Sequence, residues 1–236
     1  MKVYYRFSDG GFNKLKPEYV TKKNCLLNFL KHFHLVDVEI TIIADKVSEE
    51  TIQWLDEDIA SRIGVNYIRT NFGFGSKAYI KVLEMAIELP DNEEIYFVED
   101  DYIHREKSFQ TLREGLEIAD YVTLYDHPDK YLPREQMGNP LVKDGGEDTK
   151  VFVTRSTHWK ITNSTPMTFA VRAKTLKQDK EIHYHFCEGT MTDSYRMFLR
   201  LREKGRKLIS CLPAKATHGE LQWLSPLVDW RKEIEL

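Results

Sequence analysis

Cysteine is scarce in this chain. Three occur in 236 residues, Cys25, Cys187 and Cys211, an odd number at wide spacing with no Cys-x-x-Cys pair. That excludes a disulfide framework and a cysteine-built structural zinc, and it points to a reducing compartment. A basic surplus is missing too. Lys and Arg number 34 against 37 Asp and Glu, a net charge of −3, whereas unspecific binding to nucleic acid by its phosphates needs the opposite balance. No nucleic-acid partner is expected. No stretch approaches the ~20 apolar residues of a membrane span, and no apolar leader stands before the first strand-like run. The expectation is a soluble, cytoplasmic protein with no membrane span. Internal repeats, low-complexity tracts, and Ser-His-Asp or Cys-His nucleophile patterns are all absent. What remains is a chain 42% apolar and 12% aromatic, long enough to bury a sizeable core as one large α/β domain or two small ones.

The first hundred residues alternate between two periodicities. Val3 to Phe7, Val38 to Ile43, Val65 to Ile68 and Ile95 to Val98 are short apolar runs that read as strands. Between them, apolar residues recur at helical spacing: Cys25, Leu26, Phe29, Leu30 and Phe33 after a Thr21 cap; Ile52, Leu55 and Ile59 after Ser48; Tyr79, Leu83, Ala86 and Ile87 after a glycine-rich loop. Alternating strands and helices predict a mostly parallel central sheet with right-handed crossovers. Ligands of such sheets bind beyond the carboxyl ends of the strands. The loops placed there carry Arg6, Ser8 and Asp9; Asp45; Arg69, Ser76 and Lys77; and Glu99 to Asp101. The second half is less regular. A helix over 107–116, strands over 121–124, 151–154, 158–162, 167–171 and 207–210, a helix capped by Thr192 and stopped by Gly205, and a long Pro- and Gly-rich loop over 126–150 are expected. The short strands over 151–154, 158–162 and 167–171 read as antiparallel additions.

The most telling stretch is Ile95-Tyr96-Phe97-Val98-Glu99-Asp100-Asp101. A strand buried on both faces ends in three adjacent carboxylates, which repel one another and need something cationic nearby. A divalent metal suits hard carboxylate oxygens, and such metals commonly hold phosphates as well. The alternative is an acidic turn that caps the next helix. Asn71-Phe72-Gly73-Phe74-Gly75 is neither a Walker A loop nor the dinucleotide fingerprint, because it lacks Gly-Lys-Ser/Thr and follows the third strand.

Four features together resemble the GT-A glycosyltransferases, with a DxD-type, family-2-like layout, and are similar to the small GT-A domains of large algal viruses. They are the β-α repeats of the first half, and the triplet Glu99-Asp100-Asp101 with Glu in the first DxD place. The others are Thr192-Asp193-Ser194 through Leu201 with Gly205, like the family's acceptor-side helix, and Ala216-Thr217-His218-Gly219, like its late metal-site histidine. The resemblance spans nearly the whole chain. It implies a single GT-A (Rossmann-like) domain over 1–236, with a nucleotide-binding half at 1–103 and an acceptor-binding half at 104–236. It implies transfer of a sugar from a nucleoside-diphosphate sugar, UDP-sugar preferred, to a glycan or other hydroxyl acceptor, with Mn²⁺ or Mg²⁺.

On this reading Asp101 and His218 ligate the metal. Glu99 faces ribose hydroxyls or metal-bound water, and Asp100 turns back into the protein as a structural acid. Asp45 accepts from the imide of uracil or thymine; Arg6, Ser8 and Asp9 meet base or ribose; Arg69, Ser76 and Lys77 meet phosphate or sugar. Asp193 is the candidate general base of an inverting transfer, with Glu188 in reserve, and His158, Trp159 and Trp223 are candidates to stack on an acceptor sugar. Competing readings are a sugar-phosphate nucleotidyltransferase, faintly suggested by Asp9-Gly10-Gly11-Phe12-Asn13-Lys14, and a non-catalytic nucleotide-sugar-binding module. Each residue also has a plainer reading: Asp193 as a helix-dipole residue, Asp45 as a turn residue, His218 as a surface histidine.

Overall fold

Strand β1 (Lys2–Ser8) has apolar side chains on both of its faces, so each face must be covered. Tyr5 and Phe7 point to one side, where they meet α1 (Lys22–Phe33) through Leu26, Phe29 and Phe33. Tyr4 points to the other and joins a second core with Tyr79, Phe97 and Phe169. The computed structural model from which this is read describes residues 1–10, 14–34, 37–143 and 145–235. Residues 11–13, inside the expected glycine loop after β1, lie outside them.

The first half folds as its periodicity predicts. After α1 come β2 (Glu39–Asp45), α2 (Glu49–Trp54) running through a wide turn at Leu55–Ala60 into the short α3 (Ser61–Ile63), then β3 (Asn66–Thr70), α4 (Gly75–Ile87) and β4 (Glu94–Glu99). The caps are local. Thr21 Oγ1 accepts from Asn24 N, and Ser48 Oγ accepts from Thr51 N with Glu49 and Glu50 on the positive end of the dipole. Gly64, at φ 77°, closes the α3 end in the left-handed region that favours glycine.

The second half contains β5 (Tyr102–His104), α5 (Ser108–Leu116), β6 (Tyr121–Thr123), β7 (Val151–Val153), β8 (His158–Ile161), β9 (Phe169–Arg172), α6 (Ala173–His185), α7 (Ser194–Glu203), β10 (Leu208–Leu212), β11 (Ala216–His218) and α8 (Trp230–Ile234). Nine strands form one sheet in the order β3-β2-β1-β4-β9-β6-β10-β8-β7, and β11-β5 form a separate antiparallel pair. All strands of the large sheet except β8 and β9 run the same way, so it is mostly parallel and flanked by helices. The fold class matches the expectation.

Several details differ from the sequence reading. Helix α6 is unannounced in the sequence. Its stretch is rich in Lys, Gln, Asp and Glu, and of its thirteen residues only Ala173, Leu176, Asp179 and His183 are buried, two of them polar. Asp193 rather than Thr192 caps α7, accepting from Arg196 N at 3.1 Å. The loop over 126–150 is anchored from within, with Lys130, Asn139 and Val142 buried. Trp159 is wholly buried and donates to Thr154 Oγ1, so it is a core residue and not a stacking platform. The three cysteines are buried and free. Among the described residues no helix is long and apolar enough to cross a membrane.

The β5–β11 pair positions part of the acidic cluster. It sets His218 opposite Tyr102, one residue past Asp101. The turn that follows is tight: Gly219 N donates to the Asp101 carbonyl at 2.7 Å. A Cβ on Gly219 would lie 2.4 Å from Val20 Cγ1 and 2.8 Å from that same carbonyl. Gly219→Ala therefore has to push His218 away from Asp101. A loss of about 1–3 kcal/mol is expected from such overpacking, read by chemical denaturation.

Two buried histidines set an acid limit. Burial pushes His104 down to about 3 and His183 down to about 4. The His104 ring meets the Tyr96 hydroxyl through Nε2, and His183 lies between the hydroxyls of Tyr79 and Tyr121. Both rings are neutral when folded, and both take up protons near pH 6.5 when unfolded. Their contribution is present in full above that value and is lost as pH falls toward 4. The melting temperature should drop from pH 6.5 to 4, and His183→Gln should flatten that drop; an unchanged profile would show that His183 is not among its causes.

Candidate active site

Three strand ends lie side by side at the carboxyl edge of the sheet, with Ser8 paired to Asp45 and Arg6 to Glu99. The acidic triplet leaves β4 here, and each member finds a different partner. Glu99 stands 3.4 Å from Arg6 Nη2. Asp100 turns inward as the sequence reading expects: it accepts from Ser8 N at 2.8 Å, with Lys22 Nζ 3.5 Å away. Burial pushes its carboxyl up to about 6. Asp101 Oδ2 lies 3.1 Å from His218 Nε2 and 2.9 Å from Lys16 Nζ. Burial works against its charge, but His218 and Lys16 overcome that and hold it well below the usual carboxylate range. Burial likewise works against charge on His218, yet Asp101 and its acidic neighbours raise its pKa above the ordinary value. Glu220 Oε1 sits 3.3 Å from His218 Nε2 and is paired with Lys14.

Every carboxylate of this cluster thus has its own cation, and all of these cations come from the N-terminal segment. Arg6 serves Glu99, Lys22 serves Asp100, Lys16 serves Asp101 and Lys14 serves Glu220. Lys16, Lys22 and Glu220 were not singled out from sequence, and Lys14 entered only as the basic residue of the nucleotidyltransferase reading. A signal existed for Glu220: two residues beyond His218 in an extended segment, it falls on the same side. The lysines carry no local signal, because their role depends on a loop meeting a strand end.

Asp101, His218 and Glu220 offer oxygen, imidazole and oxygen, a donor set suited to Mn²⁺ more than to Mg²⁺. As the side chains stand, no group of three His, Cys, Asp or Glu among the described residues is arranged to hold a metal ion. Asp101 and His218 do converge, and a divalent ion that also binds phosphates commonly needs only one or two protein carboxylates. These residues fit such an ion, provided Lys16 leaves Asp101 Oδ2 and His218 gives up its proton.

The nucleotide-side residues divide into spent and free. Asp45 is nearly buried and accepts from Thr70 Oγ1 (2.9 Å), Phe72 N (2.7 Å) and Gly73 N (2.9 Å). Both its oxygens accept hydrogen bonds from the segment over 70–73, the contacts that the turn reading expects. Arg6 is buried over the Tyr79 ring, donates to the Met167 carbonyl at 3.0 Å and stands beneath Glu99. Asp9 caps the start of α2, accepting from Ser48 N and Thr51 Oγ1. Ser76 donates to the Gly189 carbonyl at 2.6 Å, tying α4 to the segment before α7. Arg69 pairs with Glu49 on the exposed surface. Lys77 and the rings of Phe72 and Phe74 are exposed at the rim.

On the acceptor side, Asp193 keeps 44% of its side chain exposed while capping α7, and its Oδ2 lies 3.5 Å from Arg196 Nε. Glu188 is exposed, with only His185 near it, and makes no contact with the acidic cluster among the described residues. Lys14, the basic residue of the nucleotidyltransferase reading, is occupied by Glu220.

Asp45→Ala should leave the Phe72 and Gly73 amides without acceptors. Their hydrogen exchange is expected to quicken at least tenfold, since charge-assisted bonds of this kind contribute about 1.5–3 kcal/mol. Unchanged exchange would return Asp45 to the role of a ligand-facing acid.

No family model and no curated protein matches the chain. Solved structures do resemble it. The galactosyltransferase LgtC in complex with donor and acceptor sugar analogues superposes with a TM-score of 0.51 at 9% identity, over 89% of this chain and 73% of that one. GalNAc-T7 with UDP, GalNAc and Mn²⁺ gives 0.61 at 13% identity, over 94% of this chain and 44% of that one. TarS 1–349 of S. aureus gives 0.54 at 16% identity, over 92% and 60%. The chain spans less than half of the GalNAc-T7 structure. The likeness is one of fold, and the fold is that of the GT-A glycosyltransferases.

Proposed function

We propose that the chain is a GT-A glycosyltransferase that moves a sugar from a nucleoside-diphosphate sugar to a hydroxyl acceptor with the help of Mn²⁺ or Mg²⁺. The observation that carries this reading is the Asp101–His218 pair, 3.1 Å apart, at the carboxyl edge of a sheet of this fold. UDP-sugar is the first donor to test, because UDP with Mn²⁺ occupies the GalNAc-T7 structure.

In this mechanism Asp101 and His218 hold the metal, with Glu220 beside them. When bound, the ion supplies charge to offset the nucleoside diphosphate as it leaves. Lys14 and Lys16, once released from Glu220 and Asp101, would offer charge suited to diphosphate oxygens. Asp100 fixes the start of the β1–α1 segment through Ser8 N and so holds the lysines in reach. Asp193 takes the proton of the acceptor hydroxyl, and α7 fixes its place through the cap. A carboxylate base of this kind contributes ~10²–10⁴-fold. Glu188 stands in reserve.

The test is thermal shift with UDP, GDP and their sugars, with and without Mn²⁺. At a hundredfold excess over Kd a ligand adds about 2.7 kcal/mol, which for a domain of this size is a rise of about 5–10 °C. The rise should need Mn²⁺ and should vanish in Asp101→Asn. Asp193→Asn is a clean second variant, since Asn caps a helix as well as Asp does. It should keep the donor shift and lose transfer by 10²–10⁴-fold. A Mn²⁺-dependent shift that survives Asp101→Asn sinks the metal assignment; pyrophosphate release from a nucleoside triphosphate and a sugar phosphate sinks the transferase reading itself.

A further inference from the structure

A cavity of about 210 Å³ opens between the loop over 127–140 and the start of α7. It lies next to the acidic cluster. The Tyr125 ring is 6.4 Å from His218 and 4.9 Å from His127, and His127 lines the cavity. Asp193 immediately precedes Ser194, which lines it as well. At about 30 Å³ per water the space equals about seven waters, room for one sugar ring.

The lining has two kinds of surface. One side is apolar: Met137, Pro140, Pro166 and the Tyr195 ring. The other is polar and held rigid from below. Asp129 Oδ2 accepts from Asn139 Nδ2 at 3.1 Å. Beneath it the fully buried Lys130 donates to Asn163 Oδ1 and Ser164 Oγ, both at 2.9 Å. Asp129 Oδ1 lies 3.0 Å from His127 Nδ1 and 3.3 Å from Lys130 Nζ. His127 Nδ1 accepts the Asp129 N–H at 3.1 Å, which leaves Nε2 as the ring's donor. Burial lowers the His127 pKa and keeps that ring neutral.

The charge pattern selects the ligand. One carboxylate and no Lys or Arg line the cavity, so a phosphate or carboxylate has no counterion there. A neutral molecule that donates hydrogen bonds to Asp129 and lays an apolar face on Tyr195 and Met137 fits both surfaces. Sugars have that character, with hydroxyls at the edge and C–H groups on the faces.

We propose that this cavity is the acceptor subsite, taking one uncharged pyranose ring with a hydroxyl on Asp129 and its C–H face on Tyr195. The assignment rests on the transferase reading above and names the substrate class of its second site. His127 stands on the Asp101–His218 side of the ring and Asp193 at its rim. A bound acceptor hydroxyl is thereby placed between the proposed base and the donor site.

The test is saturation-transfer NMR on the protein with UDP and Mn²⁺, using the methyl pyranosides of glucose, galactose and mannose and their N-acetylated forms as probes. At least one should bind. Tyr195→Ala and Asp129→Asn should each weaken it at least tenfold while the UDP thermal shift stays unchanged. Asp129→Asn touches the buried Lys130, so Tyr195→Ala keeps the test valid if the former fails to fold. Binding of no probe alongside a normal UDP shift, or binding unchanged in Tyr195→Ala, overturns the pocket and leaves the donor reading standing. Displacement of the glycoside by a UDP-sugar but not by UDP assigns the cavity to the donor's own sugar and overturns it as an acceptor site. A glycoside that binds and is lost in Tyr195→Ala, with no UDP shift at all, supports the pocket and removes the donor reading.

Discussion

Carboxylates packed at the end of a buried strand must be balanced by positive charge from somewhere, and much of this fold follows from how that is done. At an effective dielectric of 20, two like charges 4 Å apart repel by about 4 kcal/mol, so Glu99, Asp100, Asp101 and Glu220 could not be gathered bare. Arg6 rises beneath Glu99 from the neighbouring strand, the segment between β1 and α1 brings Lys14 and Lys16 to Glu220 and Asp101, and the start of α1 brings Lys22 to Asp100. That segment is held in turn. Asp100 anchors Ser8 N, and Val20 packs under Gly219. The strand end, the loop after β1 and the β11 turn therefore form one electrostatic unit, and changing any of them disturbs the other two.

How much of this the sequence announces depends on the range of the interaction. The β-α alternation of the first half is written in local periodicity, and the caps at Thr21 and Ser48 are written in single residues, so both are legible. The inward turn of Asp100 follows from side-chain alternation along a strand. Helix α6 is not legible, because the sheet face it covers needs few apolar residues from it. The β5–β11 pair is not legible either: two three-residue strands have almost no pattern of their own, and they exist because Tyr102–His104 meets the distant Ala216–His218. Asp45 shows how a fold can draw on a residue that the sequence offers to a ligand. The residue type and strand-end position were right for a ligand contact, but three nearby donors, Thr70 Oγ1 and the Phe72 and Gly73 amides, take up its oxygens first. Asp193 is the reverse case, a cap that still leaves much of its carboxylate exposed beside a cavity.

The lysines add a constraint on any metal that enters. Lys14 and Lys16 together carry two positive charges, the charge of one divalent ion, and they rest on the carboxylates that flank His218. In the proposed reaction, exchanging them for the ion costs little in net charge at the cluster, whereas adding an ion on top of them would leave an excess. The freed ammonium groups remain on a short tether, and the incoming diphosphate brings the negative charge they have lost. A segment that balances the cluster in one state and the leaving group in the next must be able to shift without unfolding. Its position fits that demand. It joins β1 to α1 outside the sheet, whereas His218 and Asp101 are fixed by strand pairing and by a glycine with no room for a Cβ. On the proposed reading, ligands fixed by strand pairing and counter-charges carried outside the sheet suit a site that must both bind and release a metal nucleotide.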